Sequence, residues 1–209
     1  ARWRRWDNCS LCEQQYHGVV RCALGWACWK TYLGRPERDW ARLSAMRQLG
    51  NGLSEAEHHQ DALTVRQADL ARLRRVGASA LDMLAAQGNI ANTYQNLGRF
   101  EEAVRLRQEV YCGKSRLNGI EHRETLLEAF NYATDLQSLY RFKEIKALLS
   151  NTLPVARRVL GENDDITLRM RCIYAESLYR DESATLDDRR EAVTTFDNLA
   201  QTARRVFGG

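Results

Sequence analysis

The stretch Gln87-Gly88-Asn89-Ile90-Ala91 returns in altered form as Ala129-Phe130-Asn131-Tyr132-Ala133 and again as Arg171-Cys172-Ile173-Tyr174-Ala175. The small residue closing each phrase recurs at 91, 133 and 175, a constant step of 42, and an earlier copy has Gly50 in that slot. A second landmark keeps the same step, because Gly77, Gly119 and Gly161 are also 42 apart, with Gly208 following 47 later. The five additional residues are traced to the polar stretch Asp181-Glu182-Ser183-Ala184-Thr185-Leu186-Asp187-Asp188, which is expected to lengthen the turn inside the last copy. A fixed period of this length means an array of stacked supersecondary units. Four repeats are expected, over about 40–80, 81–122, 123–164 and 165–209.

Each copy reads as a helix hairpin, two amphipathic runs joined by a tight turn such as Leu97-Gly98-Arg99-Phe100. Ala91 and Ala103 would let the paired backbones approach, with Tyr94, Leu106 and Val110 filling the grooves beside them. The corresponding pairs are Ala133 with Ile145 and Ala175 with Ala192. One hairpin cannot bury its apolar face alone, so the copies are expected to stack into an all-α superhelix. With only two prolines, and hydrophobic residues at 44%, the chain has the punctuation and the apolar content for such an array. No stretch nears the roughly 18 apolar residues of a membrane span, so no membrane partner is expected.

Asn89-Ile90-Ala91 leading into Leu97-Gly98-Arg99-Phe100-Glu101-Glu102-Ala103 and closing at Asn118-Gly119 and Glu121-His122-Arg123-Glu124-Thr125-Leu126 resembles the 42-residue tetratricopeptide repeat of kinesin light chains. The third copy keeps the form in Tyr140-Arg141-Phe142-Lys143-Glu144 and Leu160-Gly161-Glu162-Asn163-Asp164-Asp165. The first and last copies are degenerate. The resemblance covers about 170 residues and implies an α-solenoid, a right-handed superhelix whose concave groove holds a partner protein or peptide; it implies no enzymatic activity. In such folds the first helix of each hairpin lines the groove. The residues expected there are Arg47, Asn51, Asn89, Asn92, Gln95, Asn131, Gln137 and Tyr179. Asn and Gln donate and accept, which suits the alternating groups of an extended peptide backbone, although Asn89 and Asn131 would serve equally to hold the repeats in register. Arg47, Asn51 and Asn89 also resemble half of the carboxylate clamp of some tetratricopeptide domains, with Leu127 where that clamp has a lysine.

His122 and Asp164 fall just ahead of new helices and are expected to cap them, with Glu124 and Asp165 in the first turns. His58-His59 is expected to be an exposed pair in a turn. No nucleophile, base and orienting group recur together, so the repeats carry no catalytic constellation. The net charge of +4 comes from 31 basic against 27 acidic residues. Arg66, Arg72, Arg74, Arg75, Arg105 and Arg107 are interleaved with acids such as Asp69, Glu101, Glu102 and Glu109, which reads as a solvated mixed-charge face and makes a nucleic-acid track unexpected.

The first 40 residues differ in kind, holding Trp3, Trp6, Trp26, Trp29 and Trp40, all the tryptophans of the chain. Residues 18–39 read as a Trp-rich capping helix and linker, with an almost wholly apolar run from Gly18 to Leu33. Residues 1–17 read as the remnant of a zinc-binding segment, with Cys9 and Cys12 as an incomplete ligand pair. Trp6 ahead of Cys9-Ser10-Leu11-Cys12 resembles the end of a RING-CH-type zinc domain, in an architecture like that of algal proteins. That resemblance implies zinc only in a longer protein, with the repeats choosing substrates for a ubiquitin ligase whose catalytic zinc domain lies mostly upstream. Two other readings stand beside it. Cys9, Cys12, His17 and Cys22 have the spacing of a zinc knuckle, which together with Arg2, Arg4, Arg5, Arg21 and Trp3 would bind nucleic acid; or the cysteines are structural. Cys112 and Cys172, single within helical patterns, are expected to be buried thiols. A reduced intracellular, cytoplasmic setting is expected, and no cofactor in this chain.

Overall fold

The computed structural model describes residues 3–207; Gly208, the last of the glycine landmarks, and Arg2 lie outside the described residues. A 3-10 turn, Arg4–Trp6, precedes nine helices among the described residues. They are α1 (Gly18–Tyr32), α2 (Trp40–Glu55), α3 (His59–Arg75), α4 (Ala80–Asn96), α5 (Phe100–Asn118), α6 (Arg123–Ser138), α7 (Phe142–Leu160), α8 (Asp165–Arg180) and α9 (Leu186–Phe207). The fold is an all-α tetratricopeptide-type solenoid. The chain divides into two compact units, Ala1–Ala103 and Val104–Gly209, the boundary falling within α5.

The first helix of each hairpin starts where the sequence places a capping side chain. Asp39 accepts from the Ala41 N–H at 2.7 Å, Ser79 from Asp82 at 3.1 Å, His122 Nδ1 from Glu124 at 3.2 Å and Asp164 from Ile166 at 2.9 Å. Each satisfies a backbone donor that the first helical turn leaves free. His122 and Asp164 therefore cap, as their positions imply.

Four helix ends share one device. The two N–H groups after the last turn fold back onto the carbonyls of that turn, as Gly98→Gln95 with Arg99→Tyr94, and Tyr140→Gln137 with Arg141→Leu136. This closure needs a left-handed residue, usually glycine. Gly77 and Gly98 supply it at φ +66° and +71°, but the hairpin turns after α2 and α6 use Glu57 at +63° and Tyr140 at +56°. A side chain in that region costs roughly 1–2 kcal/mol, so these two turns are held by the helices they join. The turn after α8 runs over residues 181–185, against three residues in the other hairpin turns. The insertion thus lengthens the turn only in part, and Leu186, Asp187 and Asp188 form the first turn of α9.

In unit 1, α1 packs across α2 around Cys22, Leu49, Leu53 and Ala62, with Trp29 and Val65 against them. The tight crossing lies at Gly52, where a Cβ would sit 2.7 Å from the Arg21 carbonyl oxygen and 2.9 Å from Cys22 Cα. At Gly50, the slot equivalent to Ala91, a Cβ would meet the Arg66 side chain at 3.5 Å, an ordinary contact. The N-terminal aromatics join this unit, with Trp3 5.4 Å from Tyr32 and 5.2 Å from Trp40 between ring centroids. In unit 2 the core is formed by Leu126, Ala129, Ala133, Leu136, Ile145, Leu149 and Met170, continued by Ala175, Leu178 and Ala192. Ala91, Ala103, Ala133, Ile145 and Ala175 are fully buried and Ala192 nearly so, in agreement with the small-residue register. Pro154 lies inside α7 rather than at an element boundary.

Two expectations are corrected. Arg72 and Arg107 do not belong to a solvated face. Arg72 is buried with Asp69 at 2.7 Å, and Arg107 is buried between Glu128 at 3.1 Å and Asp135 at 3.0 Å, with Lys114 on Glu128 at 3.1 Å. Arg107's acidic partners stand on α6, so spacing along α5 could not reveal them. Cys112 and Cys172 are exposed, because they fall on the outward side of α5 and α8. Of the groups named for nucleic acid, Trp3 lies against Tyr32, Arg5 is exposed over Trp6 and Arg21 pairs with Glu55.

Candidate functional site

Asp39 starts α2 so that Arg47 and Asn51, one turn apart, stand on one face. Across from them, Arg66 of α3 passes beside Gly50 and reaches α4. Its Nη1 donates to the Asn89 carbonyl at 2.9 Å and to Thr93 Oγ1, and its Nη2 donates to Asn51 Oδ1 at 3.3 Å. The buried Thr93 hydroxyl donates to the same Asn89 carbonyl at 2.9 Å. Arg47, Asn51, Arg66 and Asn89, with Met46, Val65, Asp69 and Ala86, line a cavity of about 110 Å³. Arg47, Asn51 and Asn89, which the sequence places in the groove, therefore meet in one pocket.

The electrostatics of the pocket are lopsided. Arg47 stands at its rim, 3.8 Å from Asp69 and 4.0 Å from Asp82, while Asp69 itself is engaged by Arg72 at 2.7 Å. Arg66 is half-buried and meets only neutral acceptors among the described residues, and burial alone draws its pKa down. A guanidinium withdrawn from water without a counter-charge is a standing cost that an anion entering the pocket would relieve. Sequence reasoning missed Arg66 by assigning it to a solvated face. Its partners stand on α2 and α4, so no spacing along α3 could have revealed it.

The remaining expected groove residues are distributed differently. Asn92 is exposed and Gln95 half-buried further along α4. In unit 2, Asn131 donates to Glu128 at 3.5 Å and so attends the buried ionic cluster of Arg107, which favours a structural role for it. Gln137 donates to Glu176, which also holds Arg180 at 2.7 Å. Arg180 in turn lies over the rings of Tyr140 and Phe142 at 5.4 and 5.3 Å. Tyr140, Phe142, Lys143 and Arg180 border an open cavity of about 760 Å³. Tyr179 is exposed at the end of α8, outside that lining.

The cysteine segment is a separate site. Cys9 is brought down to about 7 by the N–H groups of Cys12 and Leu11 and by the Cys12 thiol, with Tyr16 adding a further hydrogen bond. His17 stands at the start of α1 without capping it, and Cys22 is buried against α2. The knuckle quartet does not converge, because the helical repeat of α1 turns Cys22 into the core while Cys12 faces solvent. No group of three or more His, Cys, Asp or Glu among the described residues is placed to hold a metal ion. No helix among them is long and apolar enough to cross a membrane.

A tetratricopeptide-repeat family model matches residues 83–124. Among solved structures, the kinesin light chain TPR-like repeats of Podosopora anserina are similar over 91% of this chain and 87% of that one, at 19% identity and a TM-score of 0.69. A point variant of the same repeats gives 18% identity and a TM-score of 0.71, covering 91% and 86%. BtubC (BKLC) from P. vanneervenii is similar at 12% identity, with a TM-score of 0.63 and coverage of 91% and 92%. These likenesses agree with the fold described above. No curated protein matches the chain in sequence.

Proposed function

We propose that this chain is a protein-interaction scaffold that seats an acidic group of a bound peptide in the Arg47–Asn51–Arg66–Asn89 pocket of unit 1. The observation that carries the reading is Arg66, a half-buried guanidinium that meets no carboxylate among the described residues. Arg47 stands at the rim of the same 110 Å³ space, its charge shared with Asp69 and Asp82, and the space accommodates a carboxylate but not a bulky side chain. Guanidinium groups match carboxylates in planar, two-pronged geometry. Asn51 and the exposed Asn89 supply donors and acceptors beside it for the peptide backbone.

The test is a peptide array read by fluorescence anisotropy, in which acidic residues are varied one at a time and the C terminus is either free or amidated. Acid-bearing peptides should bind and weaken with added salt, because the charged rim is open to solvent. Arg66→Met combined with Arg47→Ala should abolish that preference while helix content is retained. A folded double variant that still selects the same acidic peptides would refute the assignment. If amidation alone removes binding, the group recognised is the terminal carboxylate; if only side-chain acids matter, it is an internal residue.

A further inference from the structure

The arginine of the pocket has a counterpart at the next helix crossing. Arg66 is the eighth residue of α3 and Arg107 the eighth of α5, and each side chain reaches the first helix of the following hairpin, α4 for Arg66 and α6 for Arg107. The two crossings differ in charge. In unit 2, Arg107 is held by Glu128 at 3.1 Å and Asp135 at 3.0 Å, and Lys114 donates to Glu128 at 3.1 Å, so two buried cations face two buried carboxylates. In unit 1 the slots around the arginine are uncharged. Ala86 stands 42 residues before Glu128 and Thr93 stands 42 before Asp135, while Leu73, like Lys114 the fifteenth residue of its helix, is a buried apolar side chain. The Thr93 hydroxyl meets the guanidinium where unit 2 has the Asp135 carboxylate, and Ala86 lines the 110 Å³ cavity. An alanine in the slot of a glutamate leaves the volume of the longer side chain empty. The crossing after Arg107 has Leu149 in the arginine slot and Ser177 in that of Asp135, and so carries no cation there.

We infer that Ala86 and Thr93 are the specificity-determining residues of the pocket: they leave vacant the carboxylate places that Glu128 and Asp135 fill around Arg107, and one carboxylate of a bound peptide takes up the vacancy. The inference rests on the proposed seating of an acidic peptide group. One acid, rather than a pair, is what the charges call for. With Leu73 in the lysine slot, Arg66 is the cation of this crossing that meets no carboxylate among the described residues, and Arg47 at the rim is already shared between Asp69 and Asp82. Asp69 lines the same cavity with its own charge taken by Arg72 at 2.7 Å. A second carboxylate would enter beside Asp69 with no further cation to receive it, and a charge desolvated without a partner is costly.

The experiment supplies the missing carboxylate from the chain itself. Ala86→Glu is compared with Ala86→Gln, which has the same bulk without the charge, in thermal unfolding with no peptide present and in anisotropy with array peptides bearing no acid, one acid or two adjacent acids. Ala86→Glu should melt above Ala86→Gln and bind one-acid peptides about tenfold or more weakly than it, the loss expected for one charge-assisted hydrogen bond. On the parent chain two adjacent acids should bind no tighter than one. Thr93→Asp against Thr93→Asn repeats the comparison with little change in volume, and it decides the matter if an Ala86 variant fails to fold or Ala86→Gln already blocks binding. Charged and neutral variants with equal midpoints and equal affinity for one-acid peptides would overturn this inference and leave the peptide reading intact. A parent chain indifferent to acids would refute the peptide reading, and this inference with it.

Discussion

Arg107 shows how far a residue's surroundings depart from its sequence neighbours. Its side chain is 2% exposed and bonded to Glu128 and Asp135, both buried on α6. Removing one partner of such a cluster leaves the others as uncompensated charges, at a cost of about 3–5 kcal/mol. Arg107→Ala should therefore lower the thermal midpoint sharply. Arg105→Ala, two residues away and exposed, should change stability by no more than about 0.5 kcal/mol. Equal midpoints for the two variants would remove the cluster from the account. Ala133 offers a second probe at this scale, because it is fully buried where α6 meets its neighbours. Ala133→Leu should cost roughly 1–3 kcal/mol through overpacking. The same change at the exposed Ala147 of α7 should be close to neutral, and chemical denaturation of both variants decides the register.

Helix α9 begins with a reciprocal cap. The Thr185 N–H donates to Asp188 Oδ2 at 3.0 Å, and the Asp188 N–H donates to Thr185 Oγ1 at 3.1 Å. Lys146 of α7 also donates to Asp188 at 2.5 Å. These bonds, the Lys146 one foremost, hold the Asp188 carboxyl at about 2 against an ordinary value of 3.8. A carboxyl whose folded pKa is depressed binds fewer protons in the folded state, so its contribution is complete above about pH 4 and fades as the pH falls toward 2. Asp188→Asn should be less stable than the parent near neutrality, with the gap between their unfolding midpoints closing across that interval. A gap that persists undiminished at pH 2 would show that the charge is not what supports the start of α9. The element scale is also where the polar insertion was only half legible. Composition marks residues 181–188 as polar, but the Thr185 and Asp188 spacing that makes a cap assigns the last three to a helix.

For the molecule as a recognition surface, the amides of the first helices can be tested together. A variant carrying Asn92→Ala, Gln95→Ala and Gln137→Ala should weaken binding of acidic peptides from the array, since it removes donors and acceptors along α4 and α6. Arg105→Ala is the proper control from a second helix. Arg107, equally a second-helix arginine by sequence, would unfold the cluster it neutralises and confuse the reading. Retained binding by the folded triple variant, with loss in the Arg105 variant, would move the contact surface to the outer helices.

The 42-residue step, the alanines at 91, 133 and 175, the glycines at 77, 119 and 161 and the caps at His122 and Asp164 were sufficient to establish the helix pairs and their all-α stacking. Each is a local or periodic signal, and periodicity survives in a single sequence because every hairpin must bury the same face. What the tertiary structure alone decided are the pairings between helices. Arg66 of α3 meets Asn51 on α2 and Asn89 on α4, and Arg107 meets acids on α6. Cys22 turns into the core while Cys12 remains exposed. The physical reason is that a side chain's partner on another helix is set by crossing geometry and by the space that small residues leave. The small residues recur at fixed spacing, but which side chain meets which across a crossing does not.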